Sequence, residues 1–298
     1  MIASLVPLAA LVSLLPATPA DDLAAPTSPW NTRIELRGTE IFKADLRDGP
    51  GSSSVTRVGL DVNIGYAVSP KLRLGIDVDT EGSYYSFKNA TGIFPGTGKP
   101  FNDVYSSSIT PIVSYVIDEE WSIFGGGLLN FAGEPEADIG DSFTGGGFFG
   151  ARYALSETLS ISLQFIAASR LEDDLLFIVA PGVQWQITPT VSLATEKLGL
   201  RLKSKLNESW TASLYGSYES REYRMDDDSP LPSGIVRDRS VPVGVDFTYS
   251  PSKNFGISLR GGAVVYQKFK VDDSSGDRVS EDNTKPAPFV GLAVTFSF

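Results

Sequence analysis

The connections between the alternating segments of this chain are sorted by length, and that sorting restricts the fold more than any motif does. Six are short: Ser69-Pro70-Lys71, Asp118-Glu119-Glu120, Ser156-Glu157-Thr158, Thr188-Pro189-Thr190, Asn207-Glu208-Ser209 and Ser250-Pro251-Ser252-Lys253. Most of those between them are longer and richer in glycine and acids: Arg47 to Ser53, Lys88 to Asp103, Ala132 to Ser142, Asp226 to Gly234 and Asp272 to Lys285. A β-sandwich also alternates apolar and polar residues, but nothing in it sorts turns by length. An antiparallel barrel that crosses a membrane does sort them, with short turns at one rim and long loops at the other.

The segments between these turns read as strands. Val58, Leu60, Val62, Ile64, Tyr66 and Val68 alternate with Gly59, Asp61, Asn63, Gly65 and Ala67. After a tight turn, Leu72, Leu74, Ile76 and Val78 alternate with Arg73, Gly75, Asp77 and Asp79. Period two sends one set to each face of a sheet. The pattern predicts fourteen strands, at 33–46, 54–68, 72–87, 104–117, 121–131, 143–155, 159–169, 175–187, 191–196, 198–206, 210–225, 235–249, 254–271 and 286–298. The pair at 191–206 is short for a span, which needs about 9–11 residues. Merging it would give an odd count and move later turns to the wrong rim, so a hairpin is expected near Glu196 and Lys197, with twelve strands as the alternative. Pro111, Pro181 and Pro242 fall inside strands, where the missing N–H predicts bulges.

The last strand runs to the final residue. Val290, Leu292, Val294, Phe296 and Phe298 alternate with Gly291, Ala293, Thr295 and Ser297. From Pro288 to Phe298 this resembles the C-terminal recognition signal of bacterial outer-membrane β-barrels, with Gly291, Phe296 and Phe298 as its assembly residues. From the signal-like start to Phe298, the chain resembles those proteins in architecture. The resemblance implies export, insertion through the barrel-assembly machinery, outer-membrane lipid as surroundings, and residence in a Gram-negative-type bacterium.

Met1 to Ala20 reads as a secretion signal, with apolar Leu5 to Leu15 and small residues before a cut after Ala20. The n-region carries no Lys or Arg, and the alternative is an uncleaved anchor. Residues 21–32 are expected as a periplasmic lead-in, and 33–298 as one transmembrane barrel.

Composition removes several classes of function. No histidine and no cysteine are present, which excludes Ser-His and Cys-His catalysis, disulfides and the usual zinc sites. A net charge of −11 argues against nucleic acid as a partner. No cofactor and no enzymatic activity are expected. Gly145, Gly147 and Gly150 match a G-x-G-x-x-G pattern, but inside a β-run, where packing glycines are the reading. Asp77, Asp79, Glu81 and Gly82 imitate the start of an EF-hand, yet Lys88 stands where its closing Glu belongs.

Parity assigns Asp61, Asn63, Arg73, Asp77, Asp79, Glu81, Arg201, Lys203, Lys205 and Arg260 to the lumen. Arg201 and Asp77 are expected at similar height on opposite walls, setting a transverse field; the alternative is local pairing, of Arg73 with Asp77 and of strand ten with Glu219. The expected function is a channel for small hydrophilic solutes. The alternative is a closed barrel acting as a structural or adhesive surface protein through its acidic loops.

Overall fold

The computed structural model describes residues 28–94 and 96–298. The expected secretion signal and most of the lead-in lie outside the described residues. The strands are β1 (Trp30–Asp45), β2 (Ser52–Ala67), β3 (Leu72–Lys88), β4 (Val104–Val116), β5 (Trp121–Gly133), β6 (Phe143–Ser156), β7 (Leu159–Arg170) and β8 (Asp173–Thr188). They continue as β9 (Val191–Glu196), β10 (Gly199–Lys205), β11 (Trp210–Ser217), β12 (Glu219–Arg224), β13 (Ile235–Ser252), β14 (Phe255–Asp272), β15 (Arg278–Asn283) and β16 (Ala287–Ser297). Each wall strand pairs antiparallel with its neighbour, and β16 pairs with β1. β15 lies outside the ring, and β11 and β12 share one place in it, which leaves fourteen staves. The all-β closed barrel expected from the sequence is the fold observed.

Closure extends to the last residue. β1 and β16 run in register from Arg33↔Ser297 to Ile41↔Phe289. Phe298 N–H then donates to the Thr32 carbonyl at 2.9 Å, and Thr32 N–H donates to the Phe298 carbonyl at 3.2 Å. The alternation resolves as read: Val58, Leu60 and Tyr66 are exposed on the outside, while Arg57 is buried and Asp61 and Asn63 face inward.

Aromatic pairs mark both edges of the outer apolar band. Near the short turns, Trp30 meets Tyr66, Trp121 meets Tyr153, Trp210 meets Tyr249 and Phe255 meets Phe296, with ring centroids 4.6, 4.7, 5.0 and 5.4 Å apart. Each pair sits directly across a ladder. Towards the long loops, Phe131 faces Phe143 at 4.9 Å and Tyr84 faces Tyr105 at 6.1 Å. From Trp121 to Phe131 on β5, a rise of ~3.3 Å per residue and a tilt of ~40° give a band roughly 25 Å tall, which matches a bilayer's apolar core as barrels meet it.

Several expectations need correction. β1 begins at Trp30, because the Trp30–Tyr66 pair and the Thr32–Phe298 bonds extend it. The strand expected over 210–225 breaks at Tyr218 into β11 and β12. The loop 272–285 contains β15, which folds back on β14. Of the three prolines, only Pro242 lies at a register shift, opposite Val264 on β14. At Pro111 the β4–β5 ladder lapses and resumes in the same register. Gly150 does pack as expected: a Cβ there would lie 2.5 Å from the Phe124 ring.

Pro181 belongs to a larger feature. β8 pairs with β9 only from Gln184↔Ala194 to Thr188↔Val191, because the β9–β10 hairpin is short. Among the described residues no strand pairs with Asp173–Val183 on its β9 side, so Pro181 breaks no ladder bond there. Beyond the gap, β12 turns inward while staying paired with β13, and Arg224 bridges to Gly133 of β5. The β7–β8 tip overlies the outer face of this inturned sheet. Arg170 pairs with Glu222 and Arg224 with Glu172, both at 2.9 Å. Arg237 has the outward parity of Val243 and Val245 yet is 1% exposed, and it donates to the Leu171 carbonyl at 3.1 Å. Over this stretch the wall overlaps itself and is held by side chains.

Two outcomes follow from this architecture. Val62→Arg places a charge on the outer band and should lower folding stability by about 2–4 kcal/mol, whereas Asn63→Arg, inside, should cost much less. Urea titration in lipid vesicles measures both, and equal losses would contradict the orientation of β2. Deleting Phe298 removes two closing bonds and should reduce heat-modifiable folded protein in the membrane without affecting export. Unchanged folded levels would remove Phe298 from the closure step.

Candidate functional site: a charged cavity below a sealed mouth

The inward residues of the short-turn half surround a cavity of about 1040 Å³ that reaches the short-turn rim at Glu157 and Lys253. Of the residues expected in the lumen, Asp61, Asn63, Asp77, Asp79, Glu81, Arg201, Lys203 and Arg260 line it. Arg73, one residue into β3, and Lys205, the last of β10, are not among its lining residues. Gly291 is buried on the inner face of β16, with Phe296 and Phe298 exposed outside.

Most carboxylates of the lumen are held by arginines. Arg37 meets Asp79 at 2.7 Å and Glu81 at 3.6 Å. Arg221 of β12 crosses the interior to Glu81 at 2.8 Å and also pairs with Glu219 at 2.7 Å. Arg57 pairs at 2.7 Å with Asp238, which is fully buried and also accepts hydrogen bonds from Tyr85 at 2.7 Å and Gln267 at 3.0 Å. Arg201 pairs with Glu196 at 2.7 Å and Asp246 at 3.6 Å, and Arg260 lies 3.9 Å from Asp246.

The expected Arg201–Asp77 opposition is therefore diluted, since Arg201 is engaged near its own wall. The alternative pairings are absent too: Arg73 does not pair with Asp77, and the partners of Glu219 are Arg221 and Arg57. Lys197 lines the same cavity as Asp61 and Asp77. It occupies the tip of the β9–β10 hairpin with a left-handed φ of 54°. Beside it, Leu198 packs inside the barrel against the cluster of Phe124, Phe148 and Ile166. An apolar anchor thus draws the hairpin tip into the lumen.

Sequence reasoning passed over Arg37, Arg57, Lys197, Arg221 and Asp238. The parity that gave Asp61 also contains Arg57, four residues earlier, so that residue was within reach. Lys197 had no such signal, because its position depends on where the tip of a hairpin leans.

The long-loop half is filled. Ile41, Val55, Tyr85, Tyr223, Val236, Phe269 and Phe289 join one buried apolar cluster. The β3–β4 connection folds into it: Ala90 and Ile93 are fully buried, and the Phe101 ring lies 4.9 Å from Tyr85 and 4.8 Å from Phe87. The layer of Arg57, Glu81 and Arg221 forms the ceiling of the cavity beneath.

A closed antiparallel barrel, an apolar outer band between aromatic girdles and a charged interior are now established. This is the architecture of bacterial outer-membrane β-barrel proteins. No family model matches the chain, and no curated protein does. Among solved structures it is similar to the toluene transporter TodX of P. putida, at 10% identity over 95% of this chain and 93% of that one, with a TM-score of 0.46. A Pseudomonas aeruginosa FadL homologue also matches at 10% identity, over 90% and 89% of the chains, with a TM-score of 0.46. The KdgM porin matches at 10% identity over 89% and 99%, with a TM-score of 0.35. The solutes of those proteins are statements about them alone.

The ceiling gives a stability outcome. Arg57→Met leaves Asp238 buried beside Tyr85 and Gln267 without its cation, which should cost about 3–5 kcal/mol. Adding Asp238→Asn should recover a large part, because the orphaned charge is then gone. Urea unfolding of the single and double variants measures both, and an unaffected single variant would contradict the pairing.

Proposed function

We propose that the protein is an outer-membrane channel for small hydrophilic solutes, closed at rest at its long-loop mouth. The short turns then face the periplasm and the long acidic loops face outward. The observation that carries this reading is the charged cavity of about 1040 Å³ inside the wall. Small eight-stranded barrels fill such space with side chains, and barrels of sixteen or more strands hold water. A fourteen-stranded barrel that served only as a shell would have no reason to keep charged residues of both signs around an empty volume. The reading is non-enzymatic: without histidine or cysteine, Ser-His and Cys-His catalysis are excluded.

The second reading, a closed structural or adhesive surface barrel, draws on the packed long-loop half, where Ile93, Phe101 and Phe269 are buried in one apolar cluster. The two readings differ in what removal of the seal does. Under the channel reading, refolded protein in planar bilayers conducts rarely, and replacing residues 91–99 by a short Gly/Ser linker raises the open fraction or the unit conductance severalfold. If both forms stay silent while remaining folded, the surface-protein reading takes the place of the channel.

A further inference from the structure

Among the lumen carboxylates, Asp61 and Asp77 stand apart. Glu35, Asp79, Glu81, Glu219, Asp238 and Asp246 each have an arginine within 4 Å. Asp61 and Asp77 take part in no ion pair among the described residues, although Asp61 faces Asp79 across the β2–β3 ladder and Asp77, opposite Asn63, lies two pairs further along. Asp77 is 1% exposed on the cavity wall, and its Oδ1 has no hydrogen-bond partner. Its other oxygen receives only the Asn63 amide, at 3.5 Å. Directly across the next ladder, the Thr110 hydroxyl is also buried and unpartnered.

A buried carboxylate without a cation is unfavourable, and the fold had arginines in reach that serve Asp79 and Glu81 instead. The place is therefore rich in acceptors: two carboxylates and the carbonyl oxygen of Asn63. Three N–H donors on a single positive charge suit that set. A metal ion suits it poorly, since no group of three or more acidic or sulfur or imidazole ligands gathers among the described residues. An ammonium group of the chain's own, that of Lys197 at the hairpin tip, lines the same cavity as both aspartates.

We propose that Asp61 and Asp77, with Asn63, form a binding site for the primary ammonium group of a small organic solute, with Lys197 as its built-in competitor. This rests on the reading of the lumen as a solute path and names the class of solute. Binding at the two aspartates releases Lys197 from their field, so occupancy and the position of the β9–β10 tip are linked.

The test uses the full chain refolded in detergent, with thermal unfolding followed by the heat-modifiable band. Ethylammonium chloride is compared with potassium chloride and tetramethylammonium chloride at equal ionic strength. A ligand that binds only the folded state raises the midpoint. Ethylammonium should raise it above both controls, and the increment should vanish in the D61N/D77N variant. In K197A the concentration giving half the increment should fall about threefold or more, because a competing charge has been removed. If the double variant does not fold, D61N alone and K197A carry the comparison. Equal stabilisation by potassium or tetramethylammonium, an increment that persists without the aspartates, or an unchanged half-effect in K197A overturns the site. The measurement needs no conductance: a silent barrel that still prefers ethylammonium would sink the channel reading alone, and a conducting one without the preference would sink the site alone.

Discussion

In a bilayer every backbone N–H and C=O must find its partner within the protein, because the surroundings offer none. That requirement gives Phe298 its structural part. The bonds between Thr32 and Phe298 complete a ring that a frayed end would leave open. The same requirement fixes the alternation of side chains, since a wall one sheet thick has only an outside and an inside. Apolar residues are committed to one, and everything charged goes to the other.

How much charge the inside can hold is then a question of pairing. The lumen is acidic on β2 and β3, where Asp61, Asp77, Asp79 and Glu81 cluster, and the arginines that answer come from β1, β2 and β12. A buried pair often adds little to stability over an apolar substitute, but it strongly penalises the loss of one member. Such pairs therefore fix which strand lies opposite which. Arg221 reaching Glu81 holds β12 in the middle of the barrel, where its apolar neighbours Tyr223 and Met225 join the seal.

The sequence made the wall legible because a wall is local: Val58 to Val68 and Val290 to Phe298 announce their faces by period alone, and the length of each turn announces its rim. The 191–206 segment was legible for the same reason, since parity demanded a hairpin that the hydrophobic pattern barely indicated. What happens within the lumen was less so. Residues 219–224 fall within the single strand expected at 210–225, yet both faces of β12 are largely buried, because Arg221 and Glu222 find partners on opposite sides of it. Lys197 and Leu198 look like ordinary turn residues until the apolar niche near Phe124 and Phe148 is assembled from strands that lie far away in sequence. Contacts across an interior depend on which walls come to face each other, and no periodicity encodes that.

A tube whose staves are bonded on both sides has its girth set by strand number and shear. The short-turn half of this barrel is such a tube. The other half is a scroll, because among the described residues Asp173–Val183 of β8 has no partner strand on its β9 side and the β7–β8 tip rides over the outer face of β12 and β13. There the two leaves are joined by side chains, Arg170 to Glu222 and Arg237 to the Leu171 carbonyl, where ladder bonds would otherwise run. The girth of the lower half is set by counting strands, and that of the upper half by which side chains meet across the overlap.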